Sequence, residues 1–168
     1  MQRRTGVVTL RGNPVTLLGP ELKRGDRAPG FAVSDGSLQR IQLGDFAEKT
    51  KLISVVPSLD TPICELQTKR FHEEAAKLPA NVAVLTISMD LPFAQNRFCT
   101  THGIDRIRVL SDYRDASFGL AYGVLIEELR LLARAIFVVD SGDRVRYAQI
   151  VPEVASHPDY EAALSQVR

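Results

Sequence analysis

The sequence predicts an α/β fold in which helices cover both faces of one mixed β-sheet. From Lys51 to the end of the chain, short apolar runs rich in β-branched residues alternate with segments of helical periodicity. Gly, Pro and other turn residues separate these segments. The chain has 168 residues, of which 45% are hydrophobic and 24% charged. Residues 1–168 are therefore expected to form a single domain with an ordinary apolar core.

The N-terminal segment predicts a β-hairpin. Val7–Leu10 and Val15–Leu18 are apolar and β-branched, and the turn-forming run Arg11–Pro14 separates them. Two more extended segments, Phe31–Val33 and Leu38–Leu43, flank a second turn. The hairpin therefore precedes the main α/β unit.

From Lys51 onward the pattern is one of alternating buried strands and helices. The predicted order is strand 52–56, helix 62–78, strand 82–87, helix 90–101, strand 109–110, helix 114–122, strands 135–139 and 145–150, and helix 158–166. Parallel strands need crossover connections, whereas the last two strands are close enough in sequence to form a hairpin. This order predicts a thioredoxin-like fold with an added N-terminal hairpin, but a fold alone gives no function.

Charge and cysteine content exclude several classes of protein. The net charge of +1 predicts no nucleic-acid or membrane partner. Cys64 and Cys99 are the only cysteines, too few for the disulfide framework of a small secreted domain. The N-terminal segment lacks a secretory apolar region, and no apolar run approaches the ~18 residues that span a bilayer. A cytoplasmic location is expected.

Cys64 stands at the most informative position of the chain. It follows the first central strand, and groups at the carboxyl ends of strands in α/β sheets form binding sites. Pro62 suits the first position of a helix and Thr61 suits the N-cap, so Cys64 is predicted to be the third helical residue. Unpaired N–H groups and the helix dipole favour a thiolate there. The alternative is a small buried hydrophobic residue, the usual state of a free cysteine.

A helix start alone does not ionise a thiol fully. Lowering a thiol pKa from about 8.5 to about 6 takes about 3.4 kcal/mol, and a helix terminus supplies at most about 2 kcal/mol. A nearby cation is therefore required. Arg134 is the best candidate because it stands at the mouth of the apolar strand 135–139. The alternative is a solvated arginine at a strand end.

Cys99 lies near the end of the following predicted helix. Considered by itself, Cys99 is expected to be a core residue. Considered together with a reactive thiol at Cys64, it suggests that one cysteine attacks and the other resolves the product. A disulfide closing a loop of about 35 residues would stabilise the oxidised form by about 3 to 4 kcal/mol. Cysteines on separate helices can exceed the ~7 Å limit between Cα atoms, so bridging would require local unfolding.

Other chemistries receive little support. The absence of Cys-x-x-Cys disfavours a dithiol exchanger. Cys99 and His102 have the spacing of metal ligands, but no second pair completes a zinc site. Hydrolase, phosphate-loop and dinucleotide fingerprints are absent. The apolar stretch 124–132 could line a pocket or a homodimer interface, or pack on the protein's own core.

Five segments spread over nearly the whole chain form a recognisable set. They are Gly12-Asn13-Pro14-Val15-Thr16, Pro57 through Cys64, Asp90-Leu91-Pro92-Phe93-Ala94-Gln95 through Cys99, Leu132-Ala133-Arg134-Ala135, and Pro158 through Leu164. The second contains Pro-x-x-x-Thr-x-x-Cys, which is typical of peroxiredoxins. Together the segments resemble the thiol peroxidase branch of the peroxiredoxins.

The resemblance implies a hydroperoxide reductase of the atypical two-cysteine kind, acting on hydrogen peroxide and organic hydroperoxides. It makes Cys64 the peroxidatic and Cys99 the resolving cysteine of an intramolecular disulfide. Thr61 and Arg134 match the residues that bind peroxide, and Pro57 matches the one that shields the site. It also implies reduction by thioredoxin, a homodimer, and no metal, flavin or haem. The alternative is a redox sensor that uses the same disulfide without sustained turnover.

Overall fold

The fold contains eleven strands and four helices, and the computed structural model describes residues 1–168. The strands are β1 (Arg3–Leu10), β2 (Asn13–Leu18), β3 (Ala32–Ser34), β4 (Arg40–Gln42), β5 (Thr50–Val55), β6 (Val82–Ser88), β7 (Arg108–Ser111), β8 (Leu125–Ile126), β9 (Leu131–Leu132), β10 (Ala135–Val139) and β11 (Val145–Ile150). The helices are α1 (Pro62–Ala75), α2 (Pro92–His102), α3 (Ser117–Ala121) and α4 (Tyr160–Leu164), and Leu43–Phe46 forms a 3-10 turn.

A seven-stranded mixed sheet in the order β11-β10-β5-β6-β7-β3-β4 organises the molecule. Strands β5, β6 and β7 are parallel, with α1 and α2 as their crossover helices, whereas β10 is antiparallel to both β5 and β11. The predicted mixed α/β sheet is therefore confirmed. Because α1 follows the central strand β5, its first turn lies at the carboxyl edge of the sheet.

The central strands alternate between two apolar layers. Leu52 of β5 packs in a cluster with residues of α1 and α4, whereas its neighbour Ile53 packs with α3 and the N-terminal hairpin on the other face. Ile136 and Phe137 of β10 alternate in the same way. This two-residue period is the expected one for a sheet that is buried on both faces.

The predicted N-terminal hairpin is confirmed and belongs to a second sheet. That sheet has the order β1-β2-β8-β9. The carboxylate of Glu153 accepts hydrogen bonds from the backbone N–H groups of Ala155 and Gly12, and these bonds lower the pKa of Glu153 well below its usual range. The turn of the hairpin is thereby fastened to the loop after β11. Strands β8 and β9 are only two residues long, too short to predict from alternation.

Some predicted helix boundaries are wrong. Helix α3 begins at Ser117 because Ala116 has left-handed backbone angles (φ 51°). Helix α2 begins at Pro92 and not at Asp90, because a residue that precedes proline is disfavoured in the helical region and Leu91 is extended. Helices α1 and α4 are also shorter than predicted. None of the helices has the length and apolar character required to cross a bilayer.

Candidate active site

Cys64 is fully buried in the first turn of α1. Thr61 is the N-cap and Pro62 the first helical residue, as predicted, so Cys64 is the third residue of the helix. The first helical hydrogen bond runs from the Glu65 N–H to the Thr61 carbonyl. The N–H groups that precede Glu65 have no helical acceptor, which leaves the positive end of the helix dipole beside the thiol.

Arg134 supplies the cation at this thiol. It immediately precedes β10 and is only 2% exposed. Its Nη2 donates to the Cys64 Sγ at 3.2 Å, its Nη1 to the Gln67 Oε1 at 2.8 Å, and its Nε to the Val154 carbonyl at 2.9 Å. Three acceptors in different directions fix the plane of the guanidinium. The interpretation of Arg134 as a solvated surface residue is wrong.

Gln67 is a site residue that the sequence reasoning missed. It is fully buried in α1, one turn after Cys64. While its Oε1 accepts from Arg134, its Nε2 donates to the Ser54 Oγ of β5 at 2.7 Å. The signal that could have found it is a polar residue three positions after the cysteine, on the helix face that packs against the sheet.

Thr61 caps the helix through its backbone only. Its side chain makes no capping hydrogen bond, and its Oγ1 instead donates to the Ser58 carbonyl at 2.9 Å. Thr61 therefore occupies the predicted N-cap position without a side-chain capping bond. Because the hydroxyl proton is held by Ser58, the threonine oxygen keeps its lone pairs free as acceptors.

An apolar pocket of about 230 Å³ is lined by Arg134, whose guanidinium contacts the buried Cys64 Sγ; Cys64 itself does not line the pocket. Its polar groups come from Arg11, Ser58, Thr61 and Arg134. The apolar lining comprises Leu10, Pro57, Pro62, Ile63, Ile126, Leu129, Leu131, Val154 and Ala155. The pocket thus joins Pro57, Thr61 and Arg134. Ile126, Leu129 and Leu131 of the apolar stretch 124–132 line it, whereas Val124, Leu125 and Leu132 pack in the core.

Cys99 lies apart from Cys64, and both thiols are free. Cys64 packs with Val56 and Leu59, whereas Cys99 packs against the cluster that contains Ile107. Cys99 is partly exposed, and burial raises the pKa of its thiol. The structure therefore places four of the five predicted site residues at one site, namely Pro57, Thr61, Cys64 and Arg134. Cys99 lies outside this site.

Cys99 and His102 are not part of a zinc site in the structure. The His102 Nε2 lies 3.0 Å from the Glu65 Oε1, and its ring packs on Phe98. Cys99 lines a different pocket, with Asn96. No group of three or more His, Cys, Asp or Glu side chains is arranged to hold a metal ion.

A buried cysteine at a helix start, bound by an arginine on a thioredoxin-like sheet, defines a thiol-based redox protein. The Redoxin family model matches residues 23–164. The thiol peroxidase of Oceanobacillus iheyensis is 57% identical over 160 residues, covering 95% of this chain and 97% of the relative. That of Bacillus subtilis is 53% identical over 161 residues, with 96% of each chain covered. The chain belongs to the thiol peroxidase family.

Solved structures agree with this assignment. A peroxiredoxin-like protein from Aquifex aeolicus superposes with a TM-score of 0.89 at 46% identity, covering 97% of this chain and 95% of that one. Thiol peroxidase from Chromobacterium violaceum superposes with a TM-score of 0.84 at 25% identity, covering 94% and 93%.

Proposed function

We propose that this protein is a thiol-dependent peroxidase that reduces hydroperoxides through Cys64. The observation that carries the proposal is the 3.2 Å contact between the Arg134 Nη2 and the Cys64 Sγ, both buried. A guanidinium in a desolvated site stabilises an adjacent thiolate much more than it would in water. Such a thiolate is a strong nucleophile toward an O–O bond.

In the first step the Cys64 thiolate attacks the terminal oxygen of the hydroperoxide. The S–O bond forms while the O–O bond breaks, so Cys64 becomes a sulfenic acid and the leaving oxygen departs as an alcohol or water once protonated. Negative charge grows on that oxygen. Arg134 and the free N–H groups of the first turn of α1 stabilise this charge, and the Thr61 oxygen can accept a hydrogen bond from the peroxide O–H.

The pocket favours organic hydroperoxides as substrates. Hydrogen peroxide needs only polar contacts, whereas the lining contributed by Ile63, Ile126, Leu129 and Leu131 is apolar. Each methylene group moved from water into such a lining contributes about 0.8 kcal/mol of binding free energy. Alkyl hydroperoxides therefore gain binding energy that hydrogen peroxide cannot, and Pro57 shields the thiol from bulk water.

In the second step Cys99 resolves the sulfenic acid. The Cys99 thiol gives up its proton and attacks the Cys64 sulfur; the S–S bond forms, the S–O bond of the sulfenic acid breaks, and the oxygen leaves as water with that proton. Because the two cysteines pack in different clusters, α1 or α2 has to rearrange locally before they meet. We infer that the disulfide is intramolecular.

Family membership supports the partners of the cycle. A thioredoxin-type protein reduces the Cys64–Cys99 disulfide by thiol–disulfide exchange and restores both thiols. The thiols alone carry this chemistry, so the proposed cycle needs no metal or organic cofactor. By the same relationship we infer a homodimer, and the two free cysteines agree with a reducing, cytoplasmic location.

The proposal is tested by peroxide consumption coupled to thioredoxin, thioredoxin reductase and NADPH. We expect multiple turnovers with cumene hydroperoxide, none with Cys64→Ser, and a single reduction without cycling with Cys99→Ser. A single stoichiometric oxidation of the wild-type protein would contradict the enzyme assignment and favour a redox sensor. Equal loss of the first reduction in both variants would contradict the roles given to the cysteines.

A further inference from the structure

Asp90 joins the two segments that carry the cysteines. It lies between β6 and α2, two residues before the helix that contains Cys99. Its Oδ1 accepts from the Ser58 hydroxyl at 2.7 Å and its Oδ2 from the Leu59 N–H at 2.8 Å. The start of the resolving helix is thereby fastened to the loop that leads into the first turn of α1.

The face of α2 that meets this loop does not contain Cys99. A groove between loop and helix is lined from the helix by Ala94, Arg97, Phe98, Thr101 and His102. These residues recur at helical spacing and form one side of α2. Cys99 lines a pocket with Gln95 and Asn96 instead. Disulfide formation therefore requires α2 to turn or unwind relative to the loop that Asp90 holds.

We propose that Asp90 is a positioning residue that sets how the Cys64 sulfenic acid divides between disulfide formation and further oxidation. This inference rests on the proposed peroxidase function. While the Asp90 bonds hold, the Cys99 thiol cannot reach the Cys64 sulfur. During that time a second hydroperoxide can transfer its terminal oxygen to the sulfenic acid, which gives a sulfinic acid and an alcohol. When the bonds break, Cys99 condenses with the sulfenic acid and water leaves.

The chemistry of these bonds gives the size of the effect. Hydrogen bonds to a charged group stabilise a structure more than those between neutral groups. Loss of one such bond between the loop and the start of α2 should shift the equilibrium toward the separated state about tenfold or more. The bonds from Ser58 and Leu59 cross between the segments. The Ser88 hydroxyl also donates to the Asp90 Oδ2, at 2.7 Å, but Ser88 and Asp90 belong to the same segment.

This difference provides a matched pair of variants. Asp90→Ala removes both crossing bonds. Ser88→Ala leaves the crossing bonds in place and removes the bonds of the Ser88 hydroxyl with Asp90 and with the Gln95 Nε2 of α2, so it loosens α2 from β6 without releasing the loop. Each protein is reduced, mixed with one equivalent of cumene hydroperoxide, quenched at successive times and analysed by mass spectrometry. The rates of Cys64 oxidation and disulfide formation are thereby separated, and excess peroxide gives the sulfinic fraction.

We expect disulfide formation to be about tenfold faster in Asp90→Ala, with a correspondingly lower sulfinic fraction and no faster oxidation of Cys64. In Ser88→Ala the Cys64 sulfenic acid should partition between disulfide and sulfinic acid in the same ratio as in the wild type. A purely structural role would slow both steps together. Disulfide formation that is unchanged or slower in a folded Asp90→Ala would overturn the proposal.

Ser58→Ala keeps the inference testable if Asp90→Ala does not fold. It removes one crossing bond and retains the bond from the Leu59 N–H, so disulfide formation should accelerate to a smaller extent. Amide hydrogen exchange at Leu59 should be faster in Asp90→Ala than in Ser88→Ala. If wild-type Cys64 does not react with peroxide at all, the proposed function fails. If the wild type cycles normally and neither Asp90→Ala nor Ser58→Ala resolves faster, only this inference fails.

Discussion

Removing the Arg134 guanidinium should abolish most of the reactivity of Cys64 toward hydroperoxides. In Arg134→Met the side chain keeps its approximate volume but loses three hydrogen bonds, to the Cys64 sulfur, the Gln67 carboxamide and the Val154 carbonyl. The thiolate loses its only cationic partner, and the leaving oxygen loses its main donor. The first step of the reaction should therefore be slower than every later step.

The expected fall in the rate constant of Cys64 oxidation follows from the contacts that the Arg134 guanidinium makes. Removing a single donor to a developing oxyanion lowers a rate by about 10² to 10³. Because the same guanidinium also stabilises the thiolate, we expect the rate constant of Cys64 oxidation to fall about 10³-fold, equivalent to about 4 kcal/mol. Arg134→Lys should lose about 10²-fold, since a single ammonium cannot reproduce the planar fork that reaches three acceptors.

The assay mixes reduced protein with cumene hydroperoxide under single-turnover conditions and quenches with an alkylating reagent. Urea unfolding of each variant is the control, because Gln67 and Val154 lose a buried donor and the folded fraction must be known. Alkylation of Cys64 by iodoacetamide at one fixed pH measures the reactivity of the thiol without a peroxide, and it should be slower in Arg134→Met because the sulfur loses the guanidinium that contacts it. A folded Arg134→Met that oxidises within about threefold of the wild-type rate would refute the role of Arg134.

Three further predictions concern other parts of the molecule. Burial raises the pKa of Asp112 to about 6, so the folded state binds its proton more tightly than the unfolded state and stability rises as the pH falls through 6. Between pH 7 and pH 5 this gain in the free energy of unfolding is about 1 kcal/mol, measured by urea unfolding, and it should be absent in Asp112→Asn; equal pH dependence in both proteins would contradict it. Leu129→Ser should lower kcat/KM for cumene hydroperoxide about fivefold more than for hydrogen peroxide, because it removes apolar contacts from the pocket; an unchanged ratio would exclude Leu129 from substrate binding. Glu153→Ala should accelerate amide hydrogen exchange at Gly12 and Ala155 by at least about threefold, and unchanged exchange would show that other contacts hold the hairpin.

Local features of the fold could be predicted from the sequence because they depend on short-range physics. The start of α1 follows from Thr61 and Pro62, whose preferences for the N-cap and the first helical position are backbone effects. The strand at Ala135–Val139 and the N-terminal hairpin follow from alternating patterns and turn residues. The two-residue strands β8 and β9 carry no such pattern, since only their neighbours in the sheet define them.

The candidate site could be predicted only in part. The position of Cys64 at a helix start follows from Thr61 and Pro62, whereas the site roles of Pro57 and Thr61 rest on the resemblance of Pro-x-x-x-Thr-x-x-Cys to peroxiredoxins. Arg134 remained ambiguous, since an arginine at a strand end is as compatible with solvent as with burial. Gln67 was missed because its function as a partner of Arg134 exists only once β5, α1 and β10 are packed together.

The sequence by itself determined the chemistry available to this protein, namely a cysteine at a helix start and a second thiol on the next helix. Those features are local, so neighbouring residues specify them. The tertiary structure decided that Arg134 contacts Cys64, that Cys99 packs in a different cluster, and that Asp90 joins the two segments. Each of these is a contact between residues distant in sequence, and packing of the sheet and helices determines such contacts.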